Sequence, residues 1–399
     1  MTEAVETKIL ARSFLESIHQ RLGATISERD GWSVPESYGD PLLEYAAVRE
    51  GGCGVIDLSN RGRILVSGTE AVQFLNGLIT NDMKTLRENS WMPAAFPNVQ
   101  GRLIASVRVV RLKDEGTEGT EGTKTTDKNV CPTFLIDTEA ATLERVLKTI
   151  ERFTLAGDFR VTDVTSETAM LSVQGRKAVA VVRAVFGDAA GIATNQATQM
   201  TWPRSDESGD AAGEVTHSVT VMRASHTGED GFDFVVNAAE AVSLWDALQR
   251  AGARPVGHAA LETLRIEAGL PRYGVDMDET NVVTEAALDD AVSYTKGCYV
   301  GQEIIARIKY RGHVAKKLSG VMFEQAAKVA VGAVINSAEG KDVGRVTSVT
   351  YSLHLGRTIA LAYLKYDYLA PGTSVRIVGG DVELEGQLTA LPFVRRSAP

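Results

Sequence analysis

The spacing of apolar residues divides the chain into a mixed helix-and-strand region and a region made only of strands. Apolar residues recur every three or four positions at 237–250 and at 257–268, which predicts two amphipathic helices. After about Ser319 the pattern changes to short β-branched runs between glycine-rich turns, which is typical of a small barrel. The sequence therefore predicts an α+β region over residues 1–319 and a C-terminal all-β barrel over residues 320–399.

One stretch of the first region interrupts this pattern. Residues 113–129 consist mainly of Gly, Thr, Glu, Lys and Asp, and they lie between strand patterns at 103–112 and 133–136. A stretch without apolar anchors cannot bury enough surface to offset the entropy lost on ordering it. We therefore predict a mobile insertion between two paired strands.

Composition narrows the class of protein. The chain has 399 residues, of which 44% are hydrophobic and 23% are charged, as in folded rather than disordered proteins. The 42 basic and 51 acidic residues give a net charge of −9, which argues against general binding of nucleic acid or anionic membranes. No run approaches the ~20 apolar residues that cross a bilayer, and the first residues lack the features of a signal peptide. We expect a cytoplasmic protein, with a monomer favoured.

The cysteines and histidines give no sign of a metal site. Cys53, Cys131 and Cys298 are far apart and form no C-x-x-C pair, so neither a disulfide framework nor a zinc ribbon is predicted. A low, odd cysteine count is typical of the reducing cytosol. The six histidines show no metal-ligand spacing, and the G-x-S-x-G, Walker A and H-E-x-x-H signatures are absent.

The densest chemistry lies in the segment Lys-Gly-Cys-Tyr-Val-Gly-Gln-Glu at residues 296–303. Two glycines bracket a thiol and an aromatic ring, and glycine lets the backbone approach a ligand closely. The ammonium of Lys296, two residues from Cys298, could lower the pKa of the thiol and favour the thiolate. Lys296 and Cys298 are therefore the candidate catalytic groups, while a purely structural turn stays open as the alternative.

A basic segment follows directly. If residues 304–311 form a strand, alternation places Arg307, Lys309 and Arg311 on one face. Such a cationic group on an acidic protein suits an anionic small molecule or tail. A solvated strand face is the alternative interpretation.

Two further acids have candidate roles. Asp233 lies between Phe232 and Phe234 in a turn that leads into a strand, so alternation points its carboxylate away from both rings. There it could accept paired N–H donors from a heterocycle, or it could be an exposed acid of a plain hairpin. Glu262 and Arg265 stand three positions apart on a predicted helix and can form an ordinary salt bridge.

Several segments together resemble a known family. The shared motifs are Gly-Val-Ile-Asp-Leu-Ser at 54–59, Phe-Leu-Asn-Gly-Leu-Ile-Thr-Asn-Asp at 74–82, the turn 228–233, Leu-Arg-Ile-Glu-Ala-Gly-Leu-Pro at 264–271 and the segment 296–303. They occur in the same order as in the folate-binding superfamily of glycine cleavage T protein, and the resemblance runs from about residue 40 to about residue 390. The last motif is similar to the signature of the YgfZ-type branch.

The resemblance implies a cloverleaf of three domains around a central channel that holds tetrahydrofolate. Two interleaved α+β domains would form the folate-binding region before the barrel. T proteins hold the pterin ring with an acid at the position of Asp233, and an arginine at the position of Arg265 belongs to the same site. His226 stands where T proteins usually carry tyrosine, and Asp233 where they carry glutamate. Arg307 and Lys309 are candidates for holding the polyglutamate tail of folate.

One departure from the family concerns the reaction. T proteins place a catalytic aspartate in a Gly-x-x-x-Asp-Asp strand, and the matching residues here are Ala105 and Ser106. Neither can supply the negative charge that is thought to assist aminomethyl transfer. We therefore predict that the glycine-cleavage reaction is lost.

The YgfZ-type resemblance implies a tetrahydrofolate-binding accessory protein that supports the assembly or repair of iron–sulfur clusters in client enzymes. Cys298 would engage a sulfur, iron or one-carbon species transiently, because a cluster needs about four ligands and one thiolate cannot hold it. Iron–sulfur client or assembly proteins are the implied partners. Two alternatives stay open: a folate-dependent aminomethyltransferase of the T-protein type, and a folate-free scaffold whose pocket has decayed.

Overall fold

The computed structural model describes residues 10–113, 131–153, 157–187, 191–203, 216–324, 326–379 and 382–395. The predicted insertion at 113–129 lies outside the described residues, apart from its first position. The α-helices in the described ranges are α1 (Glu16–Arg21), α2 (Pro41–Arg49), α3 (Ala71–Leu78), α4 (Ala140–Phe153), α5 (Ala178–Phe186), α6 (Ala241–Arg250), α7 (His258–Glu267) and α8 (Gln302–Arg311). The strands are β1 (Ala11–Arg12), β2 (Thr25–Arg29), β3 (Trp32–Ser37), β4 (Gly54–Asp57), β5 (Gly62–Ser67), β6 (Ser90–Pro97), β7 (Leu103–Arg111), β8 (Thr133–Thr138), β9 (Arg160–Asp163), β10 (Thr168–Gln174), β11 (Ala197–Pro203), β12 (Thr216–Arg223), β13 (Gly231–Asn237), β14 (Arg254–Pro255), β15 (Lys316–Phe323), β16 (Val334–Ser337), β17 (Asp342–Ser352), β18 (Arg357–Lys365), β19 (Ser374–Gly379) and β20 (Val382–Thr389).

A first sheet is covered by helices on both faces. Its strands run in the order β11-β12-β13-β10-β4-β14, and all neighbours are antiparallel except β14 and β4. One face packs against α5 and α6, where Phe232, Phe234 and Trp245 are fully buried in one apolar cluster. The other face packs against α2 and α7. Helices α6 and α7 confirm the two amphipathic helices predicted from apolar spacing, because their apolar stripes face this sheet.

A second sheet lies against the first. Its strands run in the order β6-β7-β8-β5-β9 with antiparallel pairing throughout. Helices α3 and α4 cover one face, and the other face contributes Val110 and Leu135 to an apolar cluster shared with Met170 and Met222 of the first sheet. Because strand side chains alternate with a period of two, Arg108 and Asp137 point into the same interface as Val110 and Leu135. These two charged residues form part of one wall of the site described below.

The C-terminal strands form a closed barrel in the order β15-β18-β17-β16-β19-β20. Its own apolar core includes Val321, Phe323 and Ile335, all of which are almost completely buried. The barrel joins the rest of the chain through a separate cluster in which Ile266 of α7 packs on residues of β15 and β18. The predicted α+β fold with a C-terminal all-β barrel is confirmed. The division of residues 1–319 into two interleaved domains stays a prediction.

The strand predicted for residues 304–311 is wrong, because these residues lie in α8. Gly301 precedes the helix with a φ of 76°, and Ile305 is fully buried beside Tyr299. Successive positions in a helix differ by about 100°, so Arg307 and Lys309 are about 200° apart and do not share a face. Among the helices of the described ranges, none is long and apolar enough to cross a membrane.

Candidate functional site

A cavity opens between α7, the start of α4 and the turns that follow β2 and β4. It contains about 720 Å³ of space between its lining atoms, including the part open to solvent. We call this cavity the central pocket; it is lined by Arg29, Asp30, Leu58, Asn60, Arg61, Glu139, Ala140, His226, His258, Leu261, Glu262, Arg265, Leu270, Pro271 and Arg272.

Five side chains of alternating charge form a continuous chain at the edge of the central pocket. Arg61 donates to Asp137 from Nε at 2.7 Å, and Arg108 donates to the other oxygen of Asp137 at 2.7 Å. Arg108 also reaches Asp233 Oδ2 at 2.5 Å, and the same oxygen is 2.9 Å from His226 Nε2. Both ends of this chain, Arg61 and His226, line the pocket. We call these five residues the charged wall.

The acids of the charged wall are held ionised despite their burial. Burial alone would raise the pKa of Asp233, but its contacts with His226 and Arg108 outweigh burial and hold that pKa well below its usual value. Arg108 and Arg61 likewise overcome the effect of burial on Asp137 and lower its pKa. The wall is therefore a network of paired charges inside the protein, and each member depends on its neighbours.

Asp233 lies behind the pocket surface. Its side chain is fully buried, it points away from Phe232 and Phe234 as alternation requires, and it is absent from the pocket lining. The residue in contact with the pocket is His226, whose backbone N–H donates to Gln174 Oε1 at 3.1 Å. A ligand in the pocket therefore meets the imidazole, and Asp233 orients that ring from behind.

Arg265 lines the pocket and also ties α7 to the barrel. It donates to Asp276 Oδ2 at 2.6 Å, to Ser348 Oγ of β17 at 2.8 Å and to the carbonyl of Leu270 at 3.0 Å. It also forms the predicted salt bridge with Glu262. Arg265 is consequently a structural junction as well as a pocket residue.

Four polar atoms of the pocket lining have no hydrogen-bond partner among the described residues. They are Asn60 Oδ1, His258 Nε2, Arg265 Nε and Arg272 Nε. Burial, reinforced by Arg29, lowers the pKa of His258 to about 4, so this imidazole is neutral at pH 7. All four atoms are themselves buried, so they are desolvated polar groups behind the pocket surface.

Lys296 anchors the segment 296–303 to the end of α3. Its ammonium donates to the carbonyls of Asn76, Ile79 and Asn81 at 2.7, 2.9 and 2.6 Å. An ammonium has three donors, so these contacts use all of them. Burial lowers the pKa of Lys296 to about 8, although Asp82 opposes the shift. The contacts with α3 thus hold Lys296 in the interior of the protein.

Cys298 lies at the surface, on a loop whose two ends are held firmly. After it, the backbone N–H of Val300 donates to the carbonyl of Gly77 at 3.0 Å. Gly301 adopts a φ of 76°, and a Cβ at this position would lie only 2.3 Å from the carbonyl oxygen of Asn98. Only glycine fits there without displacing the backbone, so the loop presents the thiol from a defined position.

The basic residues predicted to bind an anionic tail lie elsewhere. Arg307 and Lys309 are exposed on α8, and neither belongs to the lining of the central pocket. Lys309 Nζ lies over the ring of Tyr294, 4.9 Å from its centre. Within the described ranges, no three His, Cys, Asp or Glu side chains are grouped to hold a metal ion.

Comparison with known proteins identifies the family. Residues 15–296 match the model of the GCVT N-terminal domain, and residues 316–395 match the glycine cleavage T-protein C-terminal barrel domain. The chain belongs to the glycine cleavage T-protein family.

Relatives of this T-protein family member align along nearly their whole length. An aminomethyltransferase of Rubrobacter xylanophilus is 33% identical, and the alignment covers 98% of this chain and 96% of the relative. An aminomethyltransferase of Geobacillus kaustophilus is 32% identical, with 98% of this chain and 100% of the relative covered. The crystal structure of glycine cleavage system aminomethyltransferase T from Bartonella henselae has a TM-score of 0.82 at 23% identity, covering 96% of this chain and 98% of that one. The similarity of folds therefore includes both sheets and the barrel.

The T-protein strand that would carry the catalytic aspartate is β7. Ala105 is fully buried in the apolar cluster beneath the second sheet, and Ser106 points to the opposite face, as Arg108 does. Neither Ala105 nor Ser106 brings a carboxylate to this place. The strand lacks the acid that the resemblance predicted at this position.

Sequence reasoning missed Arg108 and Asp137 of the wall and most of the pocket lining, including Glu139. Arg108 interrupts the apolar strand Val107-Arg108-Val109-Val110, and Asp137 ends the apolar run of β8. A charged residue within a strand of buried neighbours is a signal of an internal ion pair. That signal predicts a partner of opposite charge without saying which residue it is.

Proposed function

We propose that this T-protein family member binds tetrahydrofolate in the central pocket. We further propose that it supports the assembly or repair of iron–sulfur clusters in client proteins instead of transferring aminomethyl groups. The observation that carries the first part is the pocket itself, whose lining combines apolar side chains with four arginines and three carboxylates. Cytoplasmic location and iron–sulfur partners are part of the same proposal.

The pocket residues fit a folate. Leu58, Leu261, Leu270 and Pro271 offer apolar surface to a flat heterocycle, while the charged side chains of the lining offer donors and acceptors. The lining has four arginines against three carboxylates, which favours a ligand that carries acidic groups. Tetrahydrofolate would supply the capacity to carry a one-carbon unit, and the chain would supply binding and orientation.

The absence of the expected carboxylate argues against aminomethyl transfer. Ala105 is apolar and buried, and Ser106 is uncharged at pH 7. A catalytic carboxylate acts by placing negative charge where positive charge develops, and a hydroxyl cannot replace that charge. Binding of the cofactor can therefore persist while the original reaction is lost.

The loop of Cys298 supports the accessory role. The thiol is exposed, and the anchoring of Lys296 and the tight turn at Gly301 hold its backbone in place. A single thiolate can form one bond to a sulfur or iron atom, whereas a cluster needs about four ligands. The remaining ligands would come from a client or assembly protein that docks at this surface.

A complementation experiment tests this role. Cys298→Ala should fold and retain tetrahydrofolate in equilibrium dialysis, yet fail to restore the activity of iron–sulfur enzymes in a strain that lacks the protein. Cys131→Ala is the matched control, because Cys131 is the other exposed thiol in the described ranges. Full restoration by Cys298→Ala would refute the proposed role of the thiol.

An aminomethyltransferase is the second candidate. Its support is that curated relatives of up to 33% identity along the whole chain carry that name. Protein, tetrahydrofolate and an aminomethyl donor should be mixed, and methylenetetrahydrofolate measured. Turnover would favour the transferase, and failure of the chain to retain tetrahydrofolate in dialysis would instead favour a folate-free scaffold.

A further inference from the structure

Glu139 occupies the junction between β8 and α4 and lines the central pocket. Its backbone carbonyl accepts hydrogen bonds from Thr142 N at 2.9 Å and Thr142 Oγ1 at 3.0 Å, which fixes the backbone at this point. Its carboxylate does not cap the helix. The backbone N–H of Tyr273 lies 3.5 Å from its Oε1, which is at the outer limit of a hydrogen bond.

The other carboxylates around the pocket either form ion pairs or are exposed to solvent. Glu262 pairs with Arg265 and lies 3.7 Å from both Arg29 and Arg272. Asp30 is exposed on the turn between β2 and β3, where water competes for its oxygens. Asp233 is paired with Arg108 and His226 in the charged wall. Glu139 is thus the half-buried pocket carboxylate with the weakest protein contacts.

The surroundings of Glu139 leave its charge poorly solvated. Burial raises its pKa, while Arg61, Arg272 and the N–H of Tyr273 act in the opposite direction and Asp30 adds to the rise. Arg61 is itself neutralised by Asp137, so it cannot fully compensate Glu139. A desolvated carboxylate gains more from incoming N–H donors than one in water, because it has less solvation to lose.

We propose that Glu139 is the carboxylate that recognises the ligand of the central pocket, accepting two adjacent N–H donors from a cyclic, guanidine-like edge. The 2-amino-pyrimidinone edge of a pterin has this arrangement of donors. The inference rests on the proposed folate binding, and it transfers to Glu139 the role that sequence reasoning gave to Asp233. Two parallel hydrogen bonds to a carboxylate give orientation as well as affinity.

Glu139→Gln keeps the shape of the side chain and removes its charge and one acceptor. Dissociation constants should be measured for tetrahydrofolate and for pterin alone, with wild type and with Glu144→Gln. The control removes the carboxylate of Glu144, which is exposed on α4 and pairs with Lys148. We expect Glu139→Gln to weaken both probes by about tenfold or more, and Glu144→Gln to match wild type.

The pH dependence of binding provides a second test of the role of Glu139. The ionised form of Glu139 binds the donors, so the ratio of dissociation constants between Glu139→Gln and wild type should shrink as pH falls toward the raised pKa. The charged groups that act on Glu139 are Asp30, Arg61 and Arg272, and all three are unchanged in the variant.

The outcomes separate the two proposals. If wild type binds both probes and Glu139→Gln binds them equally well, the role of Glu139 is overturned and folate binding stands. Loss of affinity in Asp30→Asn but not in Glu139→Gln also overturns it. Wild type that retains neither probe overturns both proposals. Thermal unfolding of each variant, compared with wild type, shows whether a loss of binding reflects the pocket or the fold.

Discussion

The charged wall of the pocket and the loop that carries Cys298 both depend on buried charge, but they compensate it differently. In the wall, charges of opposite sign from separate strands and turns neutralise one another. In the loop, one ammonium, that of Lys296, is met by three backbone carbonyls around the end of α3. The carbonyl end of a helix carries partial negative charge, so it can hold a cation without a carboxylate.

This difference determines how much stability is lost when one charged side chain is removed. Removing one charge from the wall leaves an opposite charge buried without a partner, which is among the most destabilising changes in proteins. Removing the ammonium from the loop leaves neutral carbonyls, whose desolvation is less costly. The wall should therefore be the more sensitive region, and the exposed thiol of the loop should be nearly independent of stability.

The largest effect is expected for Asp137→Asn. Asp137 is fully buried and receives Arg61 and Arg108 together, so the variant leaves two guanidinium groups facing a neutral amide. We expect a loss of about 3–5 kcal/mol in the free energy of unfolding, measured by urea denaturation with circular dichroism. Glu144→Gln, which breaks an exposed pair, should show no measurable loss. Equal stability of the two variants would show that the wall is not a coupled network.

A smaller loss is expected for Lys296→Met, which keeps the apolar stem and removes the donors. Three carbonyls lose a charged partner, although water can reach part of this region. We expect the free energy of unfolding to fall by about 1–3 kcal/mol, and the backbone of segment 296–303 to exchange amide hydrogens faster. Unchanged exchange in that segment would show that Val300 and Gly301 hold the loop without Lys296.

The same lysine gives a pH signature. Its pKa is about 8 in the folded protein, against 10.5 for the ordinary side chain, so the unfolded chain binds more protons between these values. The free energy of unfolding should therefore rise with pH from about 8 to about 10.5 through this group, and the cost of burying its charge is present in full below pH 8. Comparing wild type with Lys296→Met over this window isolates the effect. If the free energies of unfolding of the two proteins change in parallel with pH, other groups cause the change.

The smallest effect on stability is expected at Cys298. Cys298→Ala should leave the free energy of unfolding within about 0.5 kcal/mol of wild type, because an exposed side chain makes few contacts. In native protein, iodoacetamide should modify Cys298 and Cys131, whereas Cys53 should react only after unfolding. Burial raises the pKa of Cys53 to about 12, which disfavours its reactive thiolate. Mass spectrometry of the labelled peptides checks this order.

Local patterns predicted much of the fold. Helices α6 and α7 and the barrel strands follow from apolar spacing, because each element buries one stripe or one face against its neighbours. The pattern at residues 304–311 predicted a strand where the structure has a helix, because alternating basic residues are compatible with either a strand or an exposed helix. The turn at Gly301 and the burial of Ile305 decide in favour of the helix, and both depend on contacts with distant residues.

The candidate site was only partly predictable. His226 and Arg265 line the pocket, whereas Arg307 and Lys309 lie outside its lining. The acid–base pairing of the wall could not be predicted, because Arg108 is 29 residues from Asp137 and 125 from Asp233. Only the packing of two sheets brings these side chains together.

The sequence by itself determined helices α6 and α7 and the barrel strands, the T-protein family, and the local character of the segment that carries Cys298. Those features depend on neighbours within a few positions or on motifs that can be read in order. The tertiary structure decided which groups meet: it placed Asp233 behind His226, turned Lys296 toward α3 and left Glu139 facing the pocket. Charge pairing between strands depends on how the sheets pack, and no local pattern encodes that arrangement.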